Sequence, residues 1–196
     1  MFARALFLPC STSPSAVRRR IVMCLVLSCA AGAFAATDPA VVEYQVKAAY
    51  LFRMAEYVEW PNSAFTGPGE PIRIAVVGSD PLVEILVTML AGRKANDRSF
   101  VVEPSAGGDE VERAHILFVA RRDAASVKKL LSGLKSRPVL TITEIPGGLD
   151  SGSVVNFVPF DNRIGFEISL GTAERNGLKL SSRLLAVARR VEKGAP

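Results

Sequence analysis

Few residues in this chain have both the type and the spacing for chemistry. Its single histidine, His115, stands just before the apolar run Ile116-Leu117-Phe118-Val119. As a general base it would need a serine nucleophile and an orienting carboxylate. No Gly-x-Ser-x-Gly elbow supplies the nucleophile, so a strand-end residue held by local packing or hydrogen bonds is expected instead. One histidine, with no cysteine after position 29, leaves only carboxylates to ligate a metal. No Asp-x-Asp-x-Asp-Gly loop arranges them for that task. The expectation is a non-enzyme with no catalytic residue, no metal and no cofactor.

Two glycine-containing loops invite a phosphate-binding interpretation and do not carry it. Gly78-Ser79-Asp80-Pro81 follows a strand-like run, where a helix N-terminus can hold an anion. It lacks the Gly-x-Gly-x-x-Gly and Gly-Lys-Ser/Thr patterns. Asp80 as N-cap with Pro81 at the first helical position accounts for these residues. Gly147-Gly148-Leu149-Asp150-Ser151-Gly152-Ser153 contains no basic residue, so a flexible connection is expected there. Glu167 alternates with Phe166 and Ile168 and must face away from them. It is either exposed or paired with a cation such as Arg163 or Lys179. Trp60, the only tryptophan, is either a core residue or an aromatic anchor at an interface.

The elements that would position these residues follow from periodicity. Asp38-Pro39 opens a stretch with Val42, Val46, Ala49, Phe52 and Tyr57 at helical spacing, ended by Trp60-Pro61. Ile72 to Val77 is a β-branched strand, and Leu82 to Leu90 reads as a helix. Phe100 to Val102 reads as a strand, as does Ile116 to Val119. The last is continuously apolar, as expected for a strand covered on both faces. A helix over Asp123 to Leu134 and a strand over Val139 to Thr143 follow. This rhythm predicts one α/β domain of three layers, Rossmann-like, with a mostly parallel sheet. Val154 to Val158 and Ile164 to Ile168 flank a short connection and predict a C-terminal antiparallel hairpin turning at Asp161-Asn162. Ser181 to Val191 reads as a last helix.

The net charge of +5 belongs to the N-terminal segment. Four of the 24 basic residues (Arg4, Arg18, Arg19, Arg20) lie in the first 35 positions, where no acid stands, leaving 20 basic against 19 acidic residues. A near-neutral body has no field to draw it to nucleic acid. Arg18-Arg19-Arg20, the apolar Ile21 to Ser28 and the small residues around Phe34 form a cleavable signal peptide over residues 1–35. The α/β domain then spans 36–196. Val26-Leu27-Ser28-Cys29 leaves a lipobox as the alternative. Cys10, Cys24 and Cys29 all fall in this leader, so the exported domain has no disulfide or thiolate site.

Lys47-Ala48-Ala49-Tyr50-Leu51-Phe52 running into Val58-Glu59-Trp60-Pro61 opens a series of segments. Ile74 to Pro81, Ala114 to Val119, Val139 to Ile142, Val155 to Val158, Asn162 to Ile168 and Leu178 to Leu185 follow in order. Together they resemble the YfiR family of periplasmic proteins across roughly Val42 to Val191. The resemblance implies a Rossmann-like fold and a periplasmic repressor. Its partner would be the periplasmic domain of an inner-membrane diguanylate cyclase or another membrane sensor. Repression would lower cyclic di-GMP output and biofilm formation, and an outer-membrane OmpA-like lipoprotein would sequester the repressor. A homodimer is compatible with it. Cysteines that family members carry are replaced here, by Ala114 among others, which removes disulfide-based redox control. Matching the family's signature nominates Trp60, Asn156, Phe157, Asn162, Arg163, Phe166 and Glu167 as partner-binding residues, some of them expected in the core. The alternative function is a periplasmic small-molecule sensor with a pocket beyond the carboxyl ends of the strands.

Overall fold

A computed structural model describes residues 38–194, apart from 108, 121 and 162. The leader with its cleavage and lipobox motifs lies outside these residues, as does Asn162. The first helix, α1 (Pro39–Tyr57), starts where its sequence says it should: the Asp38 carboxylate accepts the Ala40 N–H at 2.9 Å, with Pro39 in the first turn. It ends three residues before Trp60, because Val58–Glu59 (β1) leaves the helix to pair antiparallel with Lys179–Leu180 (β8).

Seven strands form the main sheet: β2 (Ile72–Val77), β3 (Phe100–Ser105), β4 (Ile116–Val119), β5 (Leu140–Thr143), β6 (Val155–Phe160), β7 (Arg163–Ser169) and β9 (Arg190–Glu192). Their spatial order is β3-β2-β4-β5-β6-β7-β9. The first five are parallel, β7 returns antiparallel to β6, and β9 runs parallel to β7. A mostly parallel sheet with a C-terminal hairpin is therefore the fold. The hairpin strands are longer than the sequence reading allowed, with Phe160 opposite Arg163 and Asp161 in the turn at φ 42°. That left-handed conformation is one Asp tolerates in a tight hairpin turn.

The front face of the sheet buries its apolar residues under α1 and α2 (Asp80–Leu90). Ile74, Val76, Ile116, Phe118, Leu140, Ile142, Phe157 and Phe166 meet Leu51, Met54, Leu82 and Leu86 there. Fully burying a side chain such as Phe118 stabilises by about 1.5–3 kcal/mol. The back face is covered by α3 (Asp109–Glu112) and α4 (Ala124–Ser132), against Ala75, Val77, Leu117 and Val119. This explains the uninterrupted apolar runs of β4 and of Ile74 to Val77 in β2, whose side chains find cover in both directions. The short helices α5 (Leu170–Arg175) and α6 (Ser182–Val187) lie between β7 and β9 in the chain.

Two expectations need correction. Ser79, not Asp80, is the N-cap of α2, and no side chain closes that end; the Ser79 hydroxyl is buried without a partner among the described residues. The helix expected over Ser181 to Val191 stops at Val187. The next residues become β9, because β7 offers an open edge and pairing with it outweighs local helical periodicity.

Candidate functional site

His115 is built into the fold. Its Nδ1 accepts the Arg73 backbone N–H at 3.1 Å, so Nε2 carries the ring proton and donates to the Ala64 carbonyl at 3.0 Å. The ring stacks on Phe65 at 4.4 Å, and the Arg98 guanidinium lies 3.6 Å from the centroid of the Phe65 ring. Burial holds the imidazole below its ordinary 6.5, opposed by the bond to Ala64 and the nearby Glu70. Both nitrogens are engaged by backbone, leaving no lone pair or proton for a substrate. Trp60 joins this cluster: its indole N–H donates to the His115 carbonyl at 3.3 Å and its ring packs edge-on to Phe65. It is half-buried at the amino end of the parallel strands.

Strand alternation sorts the remaining nominated residues onto two faces. Phe157 and Phe166 are opposite one another in the ladder and point to the front, where both are buried under Tyr50 of α1. Tyr50 also donates its hydroxyl to the Ile164 carbonyl at 3.3 Å. These two phenylalanines are core residues and do not meet a partner. The family segment around Lys47 has a matching role. The Lys47 ammonium is buried between Glu43 and Glu144, tying α1 to the loop after β5. Burial works against its charge, but the two carboxylates outweigh that and raise its pKa above 10.5.

Asn156 faces the back, yet it is only 2% exposed. Its Oδ1 accepts the Thr143 hydroxyl at 2.9 Å and the Ile145 N–H at 3.2 Å, while the Thr143 and Ser153 hydroxyls lie 3.0 Å apart. Gly148 sits directly above: a Cβ there would come within 2.3 Å of Asn156 Oδ1. The Gly147 to Ser153 segment is thus no loose connection. It is a turn fastened over a buried polar cluster, and Asn156 is its anchor, not a contact residue.

Beyond Asn156, no helix among the described residues covers the back of the hairpin. The back-face core contains no residue of β6, β7 or β9. This bare face carries Val158 and Phe160 from β6, Arg163, Gly165 and Glu167 from β7, and Arg190 from β9. Phe160 is 37% exposed, and Arg189 lays its guanidinium 3.2 Å from the Phe160 ring centroid. Gly165 allows this crossing, since a Cβ would stand 2.8 Å from Arg189 Cγ. Glu167 pairs in fork geometry with Arg190, at 3.1 and 3.0 Å, and that pairing raises the Arg190 pKa. Of the two alternatives for Glu167, exposure or pairing with a cation, the structure shows pairing. The cation is Arg190 and not Arg163 or Lys179, because the segment around Arg190 forms a strand beside β7.

The structure therefore brings Arg163 and Glu167 together on one open surface. It removes Asn156, Phe157 and Phe166 from that surface and places Trp60 at the opposite end of the sheet. The hairpin tip projects past the carboxyl end of β5, while Trp60 contacts the residue preceding β4. Val158, Phe160, Gly165 and Arg189 were missed, although the alternation of 156, 158, 160 and of 163, 165, 167 contained the signal. Among the described residues, no group of three or more His, Cys, Asp or Glu could hold a metal ion, and no helix is long and apolar enough to cross a membrane. A profile of YfiR/HmsC-like proteins matches residues 44–189, from within α1 to the residue before β9. The chain belongs to the YfiR/HmsC-like family.

Proposed function

We propose that this protein is a periplasmic repressor that docks the bare hairpin face on the periplasmic part of a membrane signalling protein, a diguanylate cyclase, and lowers cyclic di-GMP output. The observation carrying this reading is the uncovered sheet face itself. A sheet normally buries both faces or presents a solvated polar one. Here an aromatic ring, a stacked arginine and an acid–base pair share one open surface, a composition suited to protein contact. Family membership supports a membrane signalling protein as the class of partner. The near-neutral exported body supplies the reason to expect docking by shape and local pairing over long-range steering.

Deleting the gene is expected to raise cyclic di-GMP and surface attachment. Unchanged levels in a strain that expresses the protein would reject the reading. The OmpA-like lipoprotein that would relieve repression is part of the same proposal: its overproduction should reproduce the deletion phenotype.

A further inference from the structure

The connections leaving β2 and β4 part company. The chain after β2 crosses to the front to form α2, whose Leu82, Leu86 and Leu90 belong to the front core. The chain after β4 crosses to the back to form α4, whose Val127 and Leu131 belong to the back core. Adjacent strands whose connections diverge in this way leave a crevice at their carboxyl ends, the usual ligand position in open α/β sheets. A crevice of about 410 Å³ lies there, lined by Val77 and Val119, the last residues of β2 and β4, and by Leu130 of α4. That volume falls within the roughly 300–1,000 Å³ of small-molecule sites.

Its charged lining is two cations against one acid: Arg122 and Lys129 with Glu112. None of the three side chains has an ion-pair partner among the described residues. Arg122 reaches across the switch toward β2, its Nε 3.3 Å from where a Cβ of Gly78 would stand. Gly78 takes φ +82°, so the absence of a side chain both permits the turn and leaves room for the guanidinium.

We propose that this crevice binds a small amphipathic monoanion, a medium-chain aliphatic carboxylate, with its apolar body against Val77, Val119 and Leu130 and its head between Arg122 and Lys129. An apolar floor alone would accept any hydrophobe. The rim cations, which have no ion-pair partner among the described residues, select the anion, since a charge-assisted hydrogen bond is stronger than a neutral one. Inorganic phosphate, lacking the apolar body, gains nothing from the floor. The site lies on the parallel half of the sheet and does not depend on the hairpin docking surface.

Octanoate is the probe. Titrated into the purified protein, it is expected to bind saturably and to raise the unfolding midpoint with concentration. Valine-methyl resonances should shift at Val77, Val119 and Val127 and stay fixed at Val158. Arg122→Gln combined with Lys129→Gln should weaken binding about tenfold or more, and Gly78→Ala, which crowds Arg122, should also weaken it. Octan-1-ol and inorganic phosphate should bind far less tightly than octanoate. No binding at millimolar octanoate, shifts centred elsewhere, equal binding of octan-1-ol, or full affinity in the double variant would each overturn the proposal. All these readouts use the isolated protein, so they stand apart from any failure of the repressor reading in cells.

Discussion

In the parallel half of the sheet, β4 and β5 are buried along their whole length, with helices in front and either helices or a pinned loop behind. In the hairpin half, β6 changes from buried to exposed along its six residues, and β7 does the reverse. One continuous hydrogen-bonded sheet runs through both, parallel in the first half and antiparallel between β6 and β7. What differs is cover: the front stays under helices, while among the described residues nothing covers the back from Val158 outward. Residues that look equivalent as neighbours in one signature therefore do different work. Phe166 holds the core and Glu167, one residue on, meets solvent.

Substitutions on the two faces should separate stability from recognition. The largest effect is expected for Phe166→Ala, which empties a site 1% exposed in the native fold. It should cost about 3–5 kcal/mol in denaturant unfolding, and any loss of repression should scale with loss of folded protein. Next comes Asn156→Leu, which leaves the Ile145 N–H without its acceptor, while the Thr143 hydroxyl keeps Ser153 as a partner. An unsatisfied buried donor costs about 1–3 kcal/mol, and proteolysis should then cut first within Gly147 to Ser153. If Asn156→Leu unfolded like wild type, the pinned-turn account would be wrong.

A smaller effect distinguishes the amino end of the sheet. His115 is held neutral, with its folded pKa below the ordinary 6.5. The unfolded chain therefore takes up the proton first, and stability is full above about pH 6.5 and falls as pH drops through the folded value. Glu70, Arg73 and Arg98 are the charged groups around it. Urea midpoints measured between about pH 7 and pH 5.5 should decline for wild type. His115→Gln should flatten that decline, at the cost of a lower midpoint at neutral pH.

Much of this was legible in the sequence and some was not, for identifiable reasons. The parallel strands announced themselves because two-sided burial demands unbroken apolar runs, as in Ile116 to Val119. The cap at Asp38 and the hairpin turn were readable from local chemistry. β9 was invisible because Ser181 to Val191 has helical spacing, while its last residues are drawn into extended form by the free edge of β7, a contact distant in sequence. Asn156 looked like a surface residue because nothing local predicts that Gly148 will be folded over it. Alternation did separate Glu167 from its neighbours, but only the three-dimensional structure reveals which side lacks a helix.

The smallest change in stability should accompany the largest change in function. Arg163 is exposed at the hairpin tip and Glu167 lies on the open face with Arg190, so Arg163→Glu with Glu167→Lys should leave the unfolding midpoint close to wild type. The most direct test of the docking claim is intracellular cyclic di-GMP in cells producing this double variant at wild-type abundance. Levels matching the gene deletion are predicted, because charge reversal on the bare face should abolish docking. Wild-type levels from a folded, exported double variant would contradict the account.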